Sequence, residues 1–407
     1  MRRLMVSIAG VGMLAMLSPA TAGDIDVMTQ NQYVGTDLIG LVTEPDFNTA
    51  VIDALRNRAA SLPTERVHAL AALIERRGPA LVGLQEVYKF SCVDTNPLDL
   101  KGCENPTISG AFTDQLLDTL AALGGRYEEA ATVVNLNLPD SLGLGLPGIP
   151  VAFDGTVIYV GVVDRDVILA RTGVQYSVTN FAALSPLACV LPSEDGCNYQ
   201  AAAEVVLVIA GMPVPIRFER GFVGVDAIVD GVPYRFVNTH LETRLESFGP
   251  SGRFFQAAQT AELLGTLQAY GDFVAPLEQV LLVGDFNSDP RDEAVPVPPP
   301  LPGYLGLPPY MQMSLSGFTD AWTLRPGSAS GRGAPLVGFS CCQYEDLGNH
   351  KSELYERIDL IFSLQAPAKV KQARLLGESV SDKTPPAGQG LWPSDHASVA
   401  ATLEFGR

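Results

Sequence analysis

Short apolar runs, several of them ending in polar residues, divide the chain into predicted strands and helices. Asp24 to Gln30 alternates apolar and polar positions, which is typical of a half-buried strand, and Ala80 to Leu84 is a short buried run. Between them, apolar residues recur at helical spacing from Thr64, a candidate cap, to Gly78. The pattern therefore predicts a strand, a helix and a second strand in this order.

The rest of the chain continues with more strands than helices. The same patterns predict helices at 112–123 and 252–270, and strands at 156–163, 167–170, 201–209, 214–218, 222–229, 234–238, 279–283, 358–362 and 397–403. Most of the spacings are too short for the crossovers that parallel strands require. A mixed or antiparallel α+β sheet architecture follows, and no repeat or domain boundary is evident.

Two stretches, 136–153 and 290–309, are rich in glycine or proline and are predicted to be long loops, because proline cannot donate to a sheet ladder. The N-terminal segment has the order of a secretory signal peptide. A basic start is followed by an apolar stretch from Leu4 to Ser18 and by small residues up to Ala22. We expect residues 1–22 to be cleaved and residues 23–407 to form one domain, with insertions near 136–153 and 290–310. The protein would then be secreted or periplasmic.

Charge and cysteine content narrow the classes of function. The 407 residues contain 27 Lys and Arg against 45 Asp and Glu, a net charge of −18, which disfavours general binding of polyanions unless a cation supplies positive charge. Six cysteines in an exported chain favour disulfides, and Cys92 with Cys103 and Cys189 with Cys197 are the natural local pairs. A bridge between the adjacent Cys341 and Cys342 would be strained, since neighbouring Cα atoms lie about 3.8 Å apart.

Acidic and amide side chains follow two of the buried runs. Glu86 ends the run Ala80 to Leu84, and Asp285 and Asn287 end the run Val280 to Val283, where the two side chains would project from one side of an extended segment. Carboxylates suit a hard cation such as Mg²⁺ or can position a water molecule, and an amide can donate to a phosphate oxygen. A salt bridge for Glu86 and an ordinary turn after the second run are the structural alternatives.

Two of the four histidines also stand at strand ends. His240 ends the predicted strand 234–238, and His396 follows Asp395 at the start of the strand 397–403. Asp359, near the start of the predicted strand 358–362, could orient His396 and fix its tautomer. A structural, hydrogen-bonded histidine is the alternative for His240. His68 and His350 are predicted to lie at the surface.

Six short segments, in their order along the chain, resemble the motifs of the endonuclease/exonuclease/phosphatase superfamily. They are Asn31, Gly83-Leu84-Gln85-Glu86, Asn238-Thr239-His240-Leu241, Gly284-Asp285-Phe286-Asn287, Arg357-Ile358-Asp359 and Ser394-Asp395-His396. That superfamily includes deoxyribonuclease I, exonuclease III and neutral sphingomyelinases. The resemblance runs from about residue 24 to residue 405. It implies a four-layer α/β/β/α sandwich with two packed mixed, largely antiparallel sheets.

The same resemblance implies roles for individual residues. Asn31, Glu86 and Asp395 would form the metal and phosphate site, while Asp285 and Asn287 would position the attacking water and the phosphoryl oxygens. His396, held by Asp359, would be the general base or an electrostatic clamp. His240 matches the second histidine of the deoxyribonuclease I and sphingomyelinase branches, and its acidic partner could be Asp154, Asp164 or Asp166.

These observations predict a Mg²⁺-dependent phosphodiester hydrolase, with Mn²⁺ or Ca²⁺ as alternative ions, that uses direct attack of water on phosphorus. We expect a monomer that acts on nucleic acid or a phospholipid head group. The segment Gly284-Asp285-Phe286-Asn287-Ser288, the expected export and several arginines that could contact phosphate favour a nuclease slightly, although the arginines are equally consistent with salt bridges; they are Arg165, Arg171, Arg217, Arg220 and Arg253. Apolar residues within 136–153 favour a sphingomyelinase-like enzyme instead, if they touch a membrane rather than pack on the protein. A phosphomonoesterase and a catalytically silent binding protein are the remaining alternatives.

Overall fold

Two eight-stranded sheets dominate the described part of the chain. The computed structural model describes residues 23–38, 40–44, 46–94, 101–138, 145–209, 211–244, 251–276, 279–296, 305–327, 338–386 and 389–406. The predicted leader, residues 1–22, lies outside the described residues.

The strands are numbered in chain order. They are β1 Asp24–Asn31, β2 Leu81–Gln85, β3 Lys89–Asp94, β4 Tyr127–Asn137, β5 Ile149–Phe153, β6 Thr156–Arg171, β7 Gln175–Val178, β8 Leu191–Ser193, β9 Gly196–Asn198, β10 Ala203–Ile209, β11 Met212–Phe218, β12 Gly221–Val229, β13 Val232–His240, β14 Val280–Asp285, β15 Val295–Pro296, β16 Leu305–Gly306, β17 Thr319–Asp320, β18 Asp359–Ser363, β19 Lys369–Leu376 and β20 Ser398–Glu404. The α-helices are α1 Gly40–Thr43, α2 Phe47–Ala60, α3 Pro63–Arg77, α4 Gln115–Leu123, α5 Ser251–Phe273 and α6 Pro309–Leu315.

Both sheets are mixed and largely antiparallel. The first has the order β19-β20-β1-β2-β6-β3, with β4 and β5 also paired to β6, and only β1 and β2 run parallel. The second has the order β17-β18-β14-β13-β12-β9-β8, with β7 on β12, and only β13 and β14 run parallel. Strands β10 and β11 form a separate hairpin.

Side chains of alternating strand residues form a core between the two sheets. Val27 and Leu81 of the first sheet and Phe236 and Leu281 of the second all belong to this inner cluster. The opposite faces are covered by helices: α3 and α4 pack on the first sheet, and α5 and α6 pack on the second. The predicted four-layer α/β/β/α sandwich is therefore confirmed. Among the described helices, none combines the length and apolar character that crossing a bilayer requires.

Local details differ from the sequence predictions. Helix α3 begins at Pro63, whose ring presets the backbone angle of a first helical residue, and Thr64 does not cap it. Instead, the Thr64 hydroxyl donates to Asp118 at 3.1 Å. Helix α2 and the long strand β4 were not predicted, and the two strands predicted at 156–163 and 167–170 are one continuous strand, β6.

The predicted loop 136–153 is wrong in part, because β4 reaches Asn137 and residues Ile149–Phe153 form β5. Pro150 is accommodated because β5 pairs only with β6, so its other edge needs no backbone donor. Within the proline-rich stretch 290–309, the described residues form only the two-residue strands β15 and β16 before α6 begins at Pro309. Residues 139–144 and 297–304 lie outside the described residues.

Three disulfides are present. Cys92 joins Cys103 and Cys189 joins Cys197, which confirms the two predicted local pairs. Cys341 and Cys342 are also joined to each other, although the sequence suggested that their proximity in the chain disfavours such a bridge. No cysteine of the described chain is left free.

A buried polar contact links the two sheets directly behind the strand ends. The side-chain amide of Asn238, in the second sheet, donates to the Leu84 carbonyl at 2.8 Å and to the Val167 carbonyl at 3.1 Å in the first sheet. The Gln85 side chain donates back to Asn238 at 2.6 Å. Because all these groups are buried, each depends on the others for its hydrogen bonds.

We predict that Asn238→Ala lowers the free energy of unfolding by about 2 kcal/mol, because it leaves buried donors and acceptors unsatisfied. Denaturant titration followed by circular dichroism measures the change. Asn57→Ala, at an exposed position of α2, is the control and should stay within about 0.5 kcal/mol of the unaltered protein. Equal stabilities for the two variants would contradict a structural role for the contact.

Candidate active site

The strand pairing brings the polar strand ends to one place. Asn31 is aligned with Gln85 at the end of the parallel pair β1 and β2, and His240 is aligned with Asp285 at the end of the parallel pair β13 and β14. Strand β18 runs antiparallel to β14, so its first residue, Asp359, lies beside Asp285. The carboxyl ends of both parallel pairs therefore face the same side of the sandwich.

Asp285 is at the centre of this cluster. Its Oδ2 atom accepts from the Asn31 side chain at 3.1 Å and lies 3.5 Å from Nε2 of His240 and 3.8 Å from Nε2 of His396. Its other oxygen accepts from the backbone N–H of Asn287 at 2.9 Å. This last bond turns the backbone of Asn287 into the left-handed region, with φ of 47°, so Asp285 and Asn287 do not share an extended segment as the sequence suggested.

His396 has a carboxylate partner on its far side. Nδ1 of the ring lies 2.8 Å from Oδ2 of Asp359, and both residues are buried. The backbone of His396 is fixed as well, since its N–H donates to the Ser394 hydroxyl at 3.0 Å. The structure thus forms the pair that was inferred from the two strand ends, and the ring presents its Nε2 atom to Asp285.

His240 has a cation as its partner. Nη1 of Arg220 lies 3.0 Å from Nδ1 of His240, and the same guanidinium lies 3.6 Å from Asp164 and 3.8 Å from Glu242. Of the three acidic partners considered, only Asp164 approaches His240, and it does so through Arg220; Asp166 accepts from Asn135 instead. Because arginine can only donate, Nδ1 must accept, and the ring proton lies on Nε2.

The two histidines are pushed towards opposite protonation states. Burial, together with the positive charges of Arg220 and His396, holds the pKa of His240 well below its usual value. Burial also opposes a charge on His396, but the carboxylates of Asp359, Asp395 and Asp285 outweigh it and hold the pKa of His396 well above its usual value. One neutral and one charged imidazole therefore face the same carboxylate.

A second group of oxygen atoms lies beside this cluster. Glu86 accepts from the Asn31 side chain at 3.1 Å and from the backbone of Val34 at 2.8 Å. Burial raises the pKa of Asp395 to about 6, with Glu86 adding to the shift and His396 opposing it. Burial and then Asp359 raise the pKa of Asp285 to about 7, although His396 opposes this shift. Crowded carboxylates of this kind favour a cation between or beside them.

The donor set fits a hard cation. Glu86 and Asp395 offer carboxylate oxygens, and potential ligand atoms of Asp285, Asp359 and His396 lie within 4.8 Å of one another. Divalent magnesium and similar ions prefer oxygen ligands and need only one or two carboxylates from the protein. The side-chain nitrogen of Asn31 donates to both Glu86 and Asp285. In this arrangement the Asn31 amide holds the two carboxylates in place, and its oxygen does not face them.

A buried arginine that sequence analysis did not select supports the site. Arg66, on α3, donates to the carbonyl groups of Gln32 at 3.0 Å, Tyr33 at 3.2 Å and Pro393 at 3.2 Å. These carbonyls flank Asn31 on one segment and Asp395 on another, so one guanidinium fixes both segments. The signal was present in the sequence, because Arg66 lies four residues before Leu70 on the apolar face of the predicted helix.

The five arginines proposed as phosphate contacts are mostly engaged elsewhere. Arg165 pairs with Asp114 at 2.6 Å and Arg217 lies 3.3 Å from Glu219. Arg171 is not brought to the site, because it ends β6 beside the start of β2, where it donates to the Gly78 carbonyl. Arg253 lies in a small depression with Asp292 and Glu293, next to the loop after Asn287. Only Arg220 reaches the central cluster.

The other two histidines are exposed, as predicted: His68 lies on α3, and His350 lies in the loop before β18. His240 and His396 are both buried at the site. All the site residues predicted from strand ends thus lie in one region. Arg171 lies outside this region, and Arg253 lies beside it.

No protein-family model matches the chain, and no curated protein matches it. Solved structures that it resembles include an endonuclease/exonuclease/phosphatase from Beutenbergia cavernae, at 17% identity and a TM-score of 0.46 over 94% of this chain and 72% of that one. A mannosyl-6-phosphatase from Bacteroides thetaiotaomicron is 14% identical, with a TM-score of 0.47 over 94% of this chain and 100% of that one. Truncated TDP2 from Caenorhabditis elegans is 16% identical, with a TM-score of 0.44 over 94% of this chain and 98% of that one. Similarity at these identities and TM-scores carries no information about the reaction of this chain.

We predict that Asp359→Asn lowers the pKa of His396, because the change removes the carboxylate that stabilises its charged ring most strongly. NMR titration of ¹⁵N-labelled histidine in the metal-free protein measures this directly. Asp24→Asn, at an exposed surface pair with Lys371, is the control and should leave His396 unchanged. An unaltered His396 titration in Asp359→Asn would rule out Asp359 as its electrostatic partner.

Proposed function

We propose that this protein is a metal-dependent phosphodiester hydrolase in which a water molecule attacks phosphorus directly, without a covalent enzyme intermediate. The observation that carries the proposal is the position of Asp285 between Nε2 of His240 and Nε2 of His396, with Asp359 behind His396. This arrangement offers one proton acceptor and two groups that can face the oxygens of a phosphate. Membership of the endonuclease/exonuclease/phosphatase superfamily is part of the proposal.

In this proposal Asp285 orients the attacking water and accepts its proton, while Asn31 and Asn287 hold the Asp285 carboxylate. His396 presents its Nε2 atom to the charge that develops on the phosphoryl oxygens, and Asp359 keeps the ring in the orientation that this requires. His240 donates from Nε2, because Arg220 occupies its Nδ1 atom. A contact between described side chains supports each of these proposed roles.

Glu86 and Asp395 would hold the metal ion, and Mg²⁺ or Mn²⁺ would neutralise charge on the phosphate in the transition state. Their carboxylates are the most accessible acidic groups beside the cluster, since Asp395 keeps 19% of its side chain exposed while Asp285 keeps 2%. An ion and a phosphate can reach this side of the cluster from solvent. Ca²⁺ is a less suitable ion, because it requires more ligands than these two carboxylates supply.

The nuclease preference inferred from the arginines receives little support from their positions. Arg165, Arg171 and Arg217 are engaged with acidic side chains or backbone carbonyls, and a polyanion would also meet a chain with a net charge of −18. The proposed function is therefore cleavage of a phosphodiester bond, with nucleic acid as one candidate substrate.

We also propose that the protein is exported and acts as a secreted or periplasmic monomer. The three disulfides favour an oxidising compartment.

We predict that excess chelator abolishes hydrolysis of bis-p-nitrophenyl phosphate, because the buried carboxylates alone repel a phosphate. Added Mg²⁺ or Mn²⁺ should restore the release of p-nitrophenolate, followed by absorbance. Activity that persists in excess chelator would disprove metal dependence. Absence of activity with every ion tested would instead favour a catalytically silent binding protein, and hydrolysis of p-nitrophenyl phosphate alone would favour a phosphomonoesterase.

We predict that His396→Ala lowers kcat for the same substrate at least about a hundredfold, which is the lower range of acid–base and electrostatic contributions from one side chain. The control is His68→Ala, which makes the same change at an exposed position of α3 and should keep full activity. Circular dichroism and thermal unfolding of both variants verify folding. Comparable rates for the two variants would remove His396 from the mechanism.

A further inference from the structure

An apolar groove lies next to the candidate active site. It runs between helices α1 and α2 and the hairpin β10–β11, and every described side chain that lines it is aliphatic or aromatic. Leu38, Leu41 and Phe47 in its wall are only half-buried, so the groove reaches solvent. Apolar surface left open to water is unfavourable unless a partner or ligand covers it.

The groove is continuous with the site along two chain segments. Val160, Val162 and Asp164 alternate along β6 and therefore share one face; the two valines line the groove, and Asp164 faces Arg220. On the second segment, Phe218 lines the groove and Arg220 follows two residues later. Arg220 contacts His240, a proposed catalytic histidine. Arg220 therefore links the end of the apolar wall to that histidine.

Tyr88 connects the same two regions from a third side. Its ring lines the groove next to Phe90, and it follows the metal-site residue Glu86 by two positions. Tyr88 therefore separates a polar region that suits a phosphate from an apolar region that suits a hydrocarbon chain.

Resting on the function proposed above, we infer that the substrate is an amphiphilic phosphodiester whose apolar chain lies in this groove while its phosphate lies beside Asp285 and His396. Among the described side chains that line the groove, Tyr88 alone offers a hydrogen-bonding group for the edges of nucleotide bases. Nucleic acid would also carry further phosphates past a surface whose arginines are mostly paired. One phosphate and one hydrocarbon chain match both parts of the surface.

Soluble phosphodiesters of p-nitrophenol that differ only in their second group, methyl, butyl or octyl, test this inference. Their common leaving group keeps the chemistry constant, so hydrolysis of the methyl ester tests the proposed function and the dependence on chain length tests the groove. Each methylene group that becomes fully buried can raise kcat/KM about fourfold. We expect the octyl ester to exceed the methyl ester at least about a hundredfold. Equal values for methyl and octyl esters would overturn the inference while leaving the hydrolase proposal intact.

Two variants locate the effect. Leu41→Asp places a charge in the wall of the groove and should reduce the octyl-to-methyl ratio at least about tenfold; Phe47→Asp is a second such variant if the first does not fold. Val208→Asp is the matched control, because Val208 is 58% exposed on the outer side of the same hairpin and does not line the groove. It should keep the ratio. Loss of the ratio in Val208→Asp but not in the groove variants would overturn the inference.

A final comparison distinguishes the source of the amphiphile. Monomeric diheptanoyl phosphatidylcholine, phosphatidylcholine vesicles and single-stranded DNA are assayed side by side with the metal present. Hydrolysis of the monomeric lipid indicates a free amphiphile, and hydrolysis of the vesicles indicates a lipid surface; either result supports the inference. A kcat/KM for DNA above that for both lipids and the octyl ester would overturn it.

Discussion

The burial of the Asp285 carboxylate is the constraint on which the arrangement of the site depends. A buried carboxylate is costly unless its oxygens are satisfied. Asn31 reaches it from the first sheet, the Asn287 backbone from its own strand end, and the two histidines from either side. Its partners come from both sheets, so the sandwich has to pack in one relative position for the carboxylate to be tolerated. The link from Asn238 to the Leu84 and Val167 carbonyls fixes that position a few residues away.

The chemical asymmetry of the site comes from what stands behind each histidine. A carboxylate, Asp359, stands behind His396 and a guanidinium, Arg220, stands behind His240. The two rings therefore differ in charge: His240 is neutral with its proton on Nε2, and the charged His396 carries a proton on each ring nitrogen. Arg220 is itself held between Asp164 and Glu242, which prevents an unpaired buried cation. The same carboxylate can therefore meet one neutral donor and one charged group.

Recognition of the rest of the substrate is separate from this chemistry. In the proposed reaction the central cluster contacts only a phosphate, and the same atoms would serve for nucleic acids, lipids or smaller esters. Selectivity has to come from the surfaces around it. On one side these surfaces are the apolar walls formed by β6, Tyr88 and the hairpin β10–β11, and the arginines nearby are largely neutralised by acidic partners. The acidic composition of the chain and its apolar groove both favour the proposed amphiphilic phosphodiester over a polyanion.

The order of apolar runs was enough to predict a mixed, sheet-rich α+β architecture, and polar strand ends were enough to select Glu86, His240, Asp285 and His396, because strand alternation and strand-end polarity are local properties. Cysteine spacing predicted the two local disulfides, whereas the four-layer sandwich and the role of Asn31 were implied only by the resemblance of the ordered motifs. The partner of His240 could not be predicted, since Arg220 and Asp164 are 20 and 76 positions away and nothing local pairs them. The same applies to Arg66, which joins segments that meet only in the folded protein. Sequence determined which side chains could perform phosphate chemistry. Tertiary packing decided which of them touch, because hydrogen bonds, buried charges and a groove depend on distances that chain order does not specify.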